Sequence, residues 1–272
     1  MTEFLTENVF LLPGGLVQQD QGLNRACVRP LSGREEDWLA RHAGTPSAVL
    51  VTWLLNACLL SLDGQPVDSD LVRQLLVADR DYLILQLRRL TLGDQVQAVV
   101  QCPVCTNPMD VSFLASEVPV TFRPQTTASY ALELTDRTVR FRLPTGGDQE
   151  AMLGGRAEDA ADGLLQRCLL EVDGQPLSSE EREAVIAAME RLAPQIDLEL
   201  DVTCPECSRH FLAPFDTTAF FFQEMGLKQD QLLHEVHALA FYYHWSEAEI
   251  LGLERDRRRA YLRLLNESLR QN

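Results

Sequence analysis

An α+β fold built from two duplicated halves, each a group of helices followed by a β-hairpin that carries a cysteine knuckle, is predicted for this 272-residue chain by three observations. A segment repeats within the chain. Two proline-containing CxxC pairs follow the two copies in the same order. Apolar residues at helical spacing then fill the closing segment.

The repeat comes first, because a missed repeat misassigns a whole fold. Residues 54–70 read LLNACLLSLDGQPVDSD and residues 164–180 read LLQRCLLEVDGQPLSSE. Ten of these seventeen positions agree at a shift of 110, with Cys58 opposite Cys168 and the two DGQP turns coinciding. The knuckles CPVC, with Cys102 and Cys105, and CPEC, with Cys204 and Cys207, follow at a shift of 102. Upstream, RPLSGREE from Arg29 and RLPTGGDQE from Arg142 are weaker partners. The expected organisation is a first repeat over 1–117, a second over 118–217 and a helical segment over 218–272.

Within one copy, a strand runs into a Ser/Thr-Gly turn at 26–33 and at 138–146. Helices are expected over 34–43 and 48–60 in the first copy and within 149–170 in the second, each stopped by the Asp-Gly of DGQP. Ser69 and Ser179 are positioned to cap helices over 70–86 and 180–192, whose acidic first turns suit the helix dipole. The alternating segments VQAVVQ and DLELDV lead into the knuckles and VSF and RHFLAPF lead out, which is the pattern of a hairpin. Residues 119–124, with proline at both ends, read as a linker or an edge strand. After Thr218 the spacing of Leu232, Leu233, Val236, Leu239, Ala240 and Tyr243 predicts a helix, and Ser246 with Glu249 forms a capping-box pattern for another. The result is a C-terminal helical hairpin whose apolar face needs a partner surface.

The cysteines carry the chemistry. A structural zinc ion takes four ligands in a tetrahedron and accepts thiolates readily, whereas one CxxC supplies two. A pseudo-twofold axis between the copies would bring Cys102 and Cys105 against Cys204 and Cys207, giving one structural Zn2+ per chain. A thioredoxin-like redox pair needs its CxxC at a helix start, and no such helix follows either pair. Cys27, Cys58 and Cys168 sit among apolar residues as small buried side chains. His234, Glu235 and His237 approach HExxH, but the second histidine comes one residue too early to share a helical face. His244 lies on the face of His237, and His210 follows Cys207 closely enough to replace a cysteine ligand. Core or interface roles suit these histidines better.

Composition narrows the classes. Hydrophobic residues make up 46% of the chain, enough to bury a core. Forty acidic against 24 basic residues give a formal charge of −16, which disfavours nucleic acid and anionic membranes as partners. The N-terminus lacks the pattern of a secretory signal, no apolar run reaches the roughly 20 residues a bilayer span needs, and seven cysteines do not suit a disulfide framework. A cytoplasmic protein is expected. Neither a Gly-rich phosphate loop nor GxSxG nor a Ser-His-Asp pattern appears, so an enzyme is not expected. The run RDRRRAYLR over 255–263 is either a solvated helix face or a contact, for an acidic partner or for an acidic surface of the protein itself. Phe241, Tyr242, Trp245, Arg257, Arg258 and Arg259 are the candidate partner-binding residues.

Three segments, RPLSGREEDWL from Arg29, RDYLILQLRRLTLGDQVQAVVQCPVC with its continuation MDVSF from Arg80, and EVHALAFYYHWSEAEILGLERDRRRAYL from Glu235, together resemble the baseplate hub assembly chaperone family of T-even-like contractile phages and of related phage-tail-like contractile injection systems. The resemblance implies a protein that assists assembly of a baseplate or hub, binds other tail proteins, catalyses no reaction and sits in the bacterial cytoplasm or in the assembled particle. The competing readings are a zinc-ribbon regulator binding nucleic acid or another protein, which requires a contiguous basic surface, and a thiol-disulfide enzyme, which requires reversible oxidation in place of metal.

Overall fold

The computed structural model describes residues 8–123, 125–155, 157–172, 175–196, 199–226 and 229–271. Strands β1 (Val9–Gln18) and β2 (Gln21–Val28) form an antiparallel hairpin whose register shifts between Leu11 and Leu16, around Pro13-Gly14-Gly15. Helix α1 (Gly33–Arg41) starts at Ser32, whose hydroxyl and the Glu35 side chain form a capping box. Helix α2 (Ser47–Cys58) runs without a break into β3 (Leu59–Leu62), which pairs with β2.

Strand β3 corrects the expected helix over 48–60. Leu59 to Leu62 is a short apolar run of the kind whose periodicity fits helix and strand alike, and pairing with β2 decides the matter. The first Asp-Gly therefore turns a strand and does not stop a helix. Asp63 and Gly64 both have positive φ, 47° and 79°, Leu62 and Gln65 exchange backbone hydrogen bonds across them, and the Asp63 carboxylate accepts from the N–H groups of Asn24 and Arg25. The second Asp-Gly, residues 173–174, lies outside the described residues.

The expected helix over 70–86 is two helices, α3 (Ser69–Gln74) and α4 (Val77–Leu92), separated where Leu75 is extended. Its cap is Asp68, one residue before the expected Ser69, with its carboxylate accepting from the Leu71 N–H at 2.8 Å. Helix α4 is buried around its circumference, including Asp79, Arg80, Leu83, Ile84, Leu87 and Arg88. It ends at Gly93, φ 90°, and Arg88 then donates to the carbonyls of Gly93 and Gln95 at 2.7 and 2.9 Å. That clamp fixes the start of the first knuckle hairpin, β4 (Gln95–Gln101) and β5 (Pro108–Leu114).

The second half of the chain runs in a similar order, with two short strands added and a single helix where the first half has α3 and α4. Strand β6 (Val120–Thr121) precedes β7 (Tyr130–Glu133) and β8 (Thr138–Phe141), and α5 (Gly146–Ala151) starts from a Thr145 and Asp148 capping box. Helix α6 (Ala157–Cys168) runs into β9 (Leu169–Val172), again a strand where helix was expected, paired with β8. Ser178, not Ser179, caps α7 (Ser179–Leu192). Strand β10 (Gln195–Ile196) pairs with β6, and β11 (Glu199–Thr203) with β12 (His210–Pro214) makes the second knuckle hairpin. The three-stranded sheets β1-β2-β3 and β7-β8-β9 are both antiparallel, and each has a register shift at the residue that faces the first position of its third strand, Val28 on Leu59 and Phe141 on Leu169.

Four helices close the chain: α8 (Thr217–Gly226), α9 (Gln229–Tyr243), α10 (Glu247–Leu251) and α11 (Arg255–Gln271). The expected capping box is present, with the Ser246 hydroxyl and N–H both bonded to Glu249. The mixture of sheet and helix with a helical C-terminus is the expected α+β class.

Two compact units draw on both sequence copies. One comprises Met1–Val28, Ala48–Leu83 and Val120–Ile196, and the other Arg29–Ser47, Ile84–Pro119 and Asp197–Asn272. In the first, Val139, Phe141, Leu165, Leu177, Val185 and Ala188 form one apolar cluster. In the second, both knuckle hairpins pack through Met109, Val202 and Ala213, with Val100, Val111, Leu200 and Phe211 around them.

The first unit buries a carboxyl that titrates in an accessible range. Asp79 is fully buried and accepts from the Gly14 N–H at 2.7 Å. Burial pushes its pKa up to about 6, against the Gly14 and Gly15 N–H groups and the Arg123 charge, which lower it. The folded state therefore holds this proton more tightly than the unfolded chain, whose aspartates titrate near 3.9, so stability falls as pH rises from about 4 through about 6. Asp79→Asn keeps an oxygen acceptor for Gly14 and never ionises. It is expected to raise unfolding free energy at pH 7.5 by ~1–3 kcal/mol and to give no gain at pH 4, read from urea unfolding at both values.

Candidate metal centre

Each knuckle is folded by its own backbone. In the first, Cys102 N–H donates to the Asn107 carbonyl at 3.0 Å and Thr106 N–H to the Cys102 carbonyl at 2.9 Å; Thr106 takes φ 57°. In the second, Cys204 N–H donates to Arg209 and Ser208 N–H to Cys204, both at 2.9 Å, and Ser208 also takes φ 57°. The left-handed residue follows the second cysteine in both, which turns the chain back into its return strand with both sulfurs on one side.

The four sulfurs converge. Cys102 Sγ lies 3.6 Å from Cys207 Sγ and Cys105 Sγ lies 3.5 Å from Cys204 Sγ, with all four ligand atoms within 4.8 Å of one another. Exchanging the two knuckles maps one of these short contacts onto the other. Zinc–sulfur bonds of about 2.3 Å in a tetrahedron set sulfur–sulfur edges of about 3.8 Å, so this donor set fits a metal ion of that size. Cys102 and Cys204 are buried, and Cys105 and Cys207 are exposed. All seven cysteines are free thiols.

Electrostatics favour a cation here. The Cys105 and Val104 N–H groups hold the Cys102 thiol down at about 6, in spite of desolvation. At Cys105 the Asn107 N–H acts in the same sense but is outweighed by desolvation and by the Cys204, Cys102 and Cys207 sulfurs, which push it up to about 12; Cys207 is raised as well. Four crowded sulfurs cannot all ionise without a positive charge between them, and a divalent cation bound there would supply it.

The remaining candidates fall elsewhere. His210 is exposed and pairs with Asp201 at 2.5 Å, outside the sulfur cluster. His237 lies against Phe241, ring centroids 6.3 Å apart, and Glu235 is buried, bonded to Arg258. Cys58 and Cys168 are buried in their helices and Cys27 is half-buried in β2.

Phe241 and Tyr242 are exposed, at 64% and 46%. Trp245 is half-buried, stacked on Tyr243 at 5.1 Å and edge-on to Tyr261 at 4.8 Å. Arg257 is exposed, and Arg259 is half-exposed, 4.0 Å from Glu235. Arg258 corrects the expectation of an exposed contact: it is fully buried, with Nη2 on Glu36 at 2.9 Å, Nε on Glu235 at 3.0 Å and Nη1 on the Leu253 carbonyl at 2.8 Å. Arg255 is buried beside it, 3.3 Å from Glu36. The basic run thus meets acidic groups of its own protein, which removes two arginines from any contiguous basic surface. The sequence reading missed Arg80, which is likewise buried in α4; it stands between Asp79 and Asp81, a run of charges that reads as solvated.

An α+β chain whose four cysteines close into one cluster between paired hairpins has a donor set able to hold one metal ion, with all four thiolates as ligands and no open position left at that ion. Comparison of the sequence with protein families places it further: the model of the T4 bacteriophage base plate protein family matches residues 28–223, and the chain belongs to that family. Neither a curated protein nor a solved structure matched. Among the described residues no helix is long and apolar enough to cross a membrane.

Proposed function

We propose that this protein is a non-enzymatic assembly factor of a contractile phage tail or phage-tail-like injection system, acting on its baseplate or hub in the bacterial cytoplasm as a chaperone does. The observation that carries the reading is the family match over 28–223, which takes in both knuckles, the second repeat and the first from residue 28 onward. The scaffold is two duplicated halves, 1–117 and 118–217, sharing one structural zinc on Cys102, Cys105, Cys204 and Cys207, followed by the helical segment 218–272. The reciprocal sulfur contacts and the matching capping boxes, helix-to-strand junctions and knuckle turns support the duplication. Partner proteins dock on the exposed aromatic edge of α9, Phe241 and Tyr242, with Trp245 behind it and Arg257 and Arg259 at its rim.

The test is co-purification from cells assembling particles. Tagged protein is expected to retain a baseplate or hub protein, and a Phe241→Ser, Tyr242→Ser variant to lose at least tenfold of it while keeping its metal. A stoichiometric copy in purified particles would make it a structural component, and failure to retain any baseplate protein would remove the assembly role.

A further inference from the structure

The four clustered sulfurs differ in their access to solvent, and the difference follows from the knuckle fold. The first cysteine of each pair is tied by its N–H and carbonyl into the end of its hairpin, whereas the second stands in the turn, just before the left-handed residue. Cys102 and Cys204 are accordingly buried, and Cys105 and Cys207 exposed. Each short sulfur contact joins one of each kind, buried Cys102 to exposed Cys207 at 3.6 Å and buried Cys204 to exposed Cys105 at 3.5 Å. Both contacts cross from one knuckle to the other. Thiol oxidation that stops at a disulfide needs this arrangement: an oxidant reaches an exposed sulfur, and a second sulfur at hand resolves the sulfenic acid before it is oxidised further.

We propose that Cys105 and Cys207 are oxidation sites for a small peroxide, resolved by Cys204 and Cys102, and that the cluster then closes as two disulfides across the knuckles, Cys102 to Cys207 and Cys105 to Cys204. In the first step the exposed sulfur attacks one peroxide oxygen. An S–O bond forms, the O–O bond breaks, and the departing hydroxide takes the thiol proton and becomes water. In the second step the buried sulfur attacks the sulfenic sulfur: an S–S bond forms, the S–O bond breaks, and hydroxide again leaves with the thiol proton as water. Each disulfide consumes one peroxide, which gains the two electrons that the sulfur pair loses. From four thiolates around a divalent cation the leaving group is hydroxide itself, and the neutral disulfides let the cation go.

The consequence is a staple with two forms. Under reducing conditions the sulfurs are joined through an ion, under oxidising conditions to one another, and the hairpins over 95–114 and 199–214 stay linked in both. Disulfides within the knuckles, Cys102 to Cys105 and Cys204 to Cys207, would do the opposite, removing the ligands and joining nothing across. The inference rests on the sulfur contacts, and neither on the ion nor on the assembly role.

Full-length protein treated with hydrogen peroxide, digested without reductant and mapped by mass spectrometry tests the pairing, while a metal-binding dye follows any ion set free. Peptides linked from Cys102 to Cys207 and from Cys105 to Cys204 are expected at least tenfold above the within-knuckle disulfides, with the buried Cys58 and Cys168 still thiols and the whole pattern reversed by a thiol reductant. Single variants separate the two bonds: Cys105→Ser is expected to form Cys102 to Cys207 alone, and Cys207→Ser to form Cys105 to Cys204 alone. Should a variant not fold, the map of the unaltered protein decides. The crossed disulfides formed with no ion released would remove the metal centre and support the pairing. Predominant within-knuckle disulfides, or sulfinic acid at Cys105 and Cys207 without a cross-link, would overturn it.

Discussion

Serine at any one of Cys102, Cys105, Cys204 or Cys207 is expected to abolish metal binding, leaving less than a tenth of the one ion per chain expected of the unaltered protein. The reason is geometric. Neither knuckle owns a site: each supplies two sulfurs, and the short contacts run between knuckles, Cys102 to Cys207 and Cys105 to Cys204. A metal bound there would also hold the hairpins together. Each is a two-stranded sheet, which has little stability of its own, and the shared apolar cluster is small. Structural zinc contributes ~10–16 kcal/mol to small peptide folds, so a loss on the order of 5 kcal/mol is expected here after discounting for the packing that persists. Cys105→Ser is the informative variant, because Cys105 is exposed and its replacement leaves the buried Cys102 and Cys204 in place. Metal analysis and hydrogen exchange over 95–114 and 199–214 measure the outcome. An ion retained after Cys105→Ser, or unaltered exchange in the hairpin opposite the substitution, would contradict a shared centre.

That centre was legible in the sequence for a particular reason. The CxxC turns are local, with two intervening residues and a proline, so their geometry follows from spacing alone; the repeat then linked two pairs about a hundred residues apart. The hairpins, the Ser246 capping box and the C-terminal helices were legible on the same ground of local pattern. Elements decided by distant partners were not. Leu59 to Leu62 and Leu169 to Val172 become strands because β2 and β8 lie ready to pair with them, and neither has a breaker in front of it. Leu75 leaves the helix because Leu76 bridges Thr145, a partner some seventy residues away. Caps were misplaced by one residue where two capping side chains stood in a row, Asp68 before Ser69 and Ser178 before Ser179. The arginine run was left open. Five arginines in a helix read as a solvated face or as a contact for a partner or for the protein's own acidic surface, and pattern alone could not choose; Arg255 and Arg258, three apart and so on one side, turn inward onto Glu36 and Glu235.

Arg258→Ala is therefore expected to be among the most destabilising substitutions outside the metal centre, costing about 3–5 kcal/mol. Glu36 and Glu235 are each 5% exposed, and among the described residues Arg258 is the one side chain bonded to both. Its removal leaves Arg255 at 3.3 Å from Glu36 and Arg259 at 4.0 Å from Glu235, contacts too long to replace two charge-assisted bonds near 3 Å. The cost arises from stranded carboxylates more than from the lost arginine, which gives the prediction a second arm. Glu36→Gln and Glu235→Gln added to Arg258→Met substitute neutral groups for the buried charges and should recover at least half of the loss. Arg258→Lys should not, because a single ammonium lacks the fork that reaches Glu36, Glu235 and the Leu253 carbonyl together. Arg257→Ala, one residue away and exposed, should change stability by less than about 0.5 kcal/mol. Urea unfolding orders these variants, and hydrogen exchange should localise the damage to α1 and α11. An Arg258→Ala midpoint equal to that of Arg257→Ala would mean that the buried cluster contributes nothing to holding the C-terminal helices on α1.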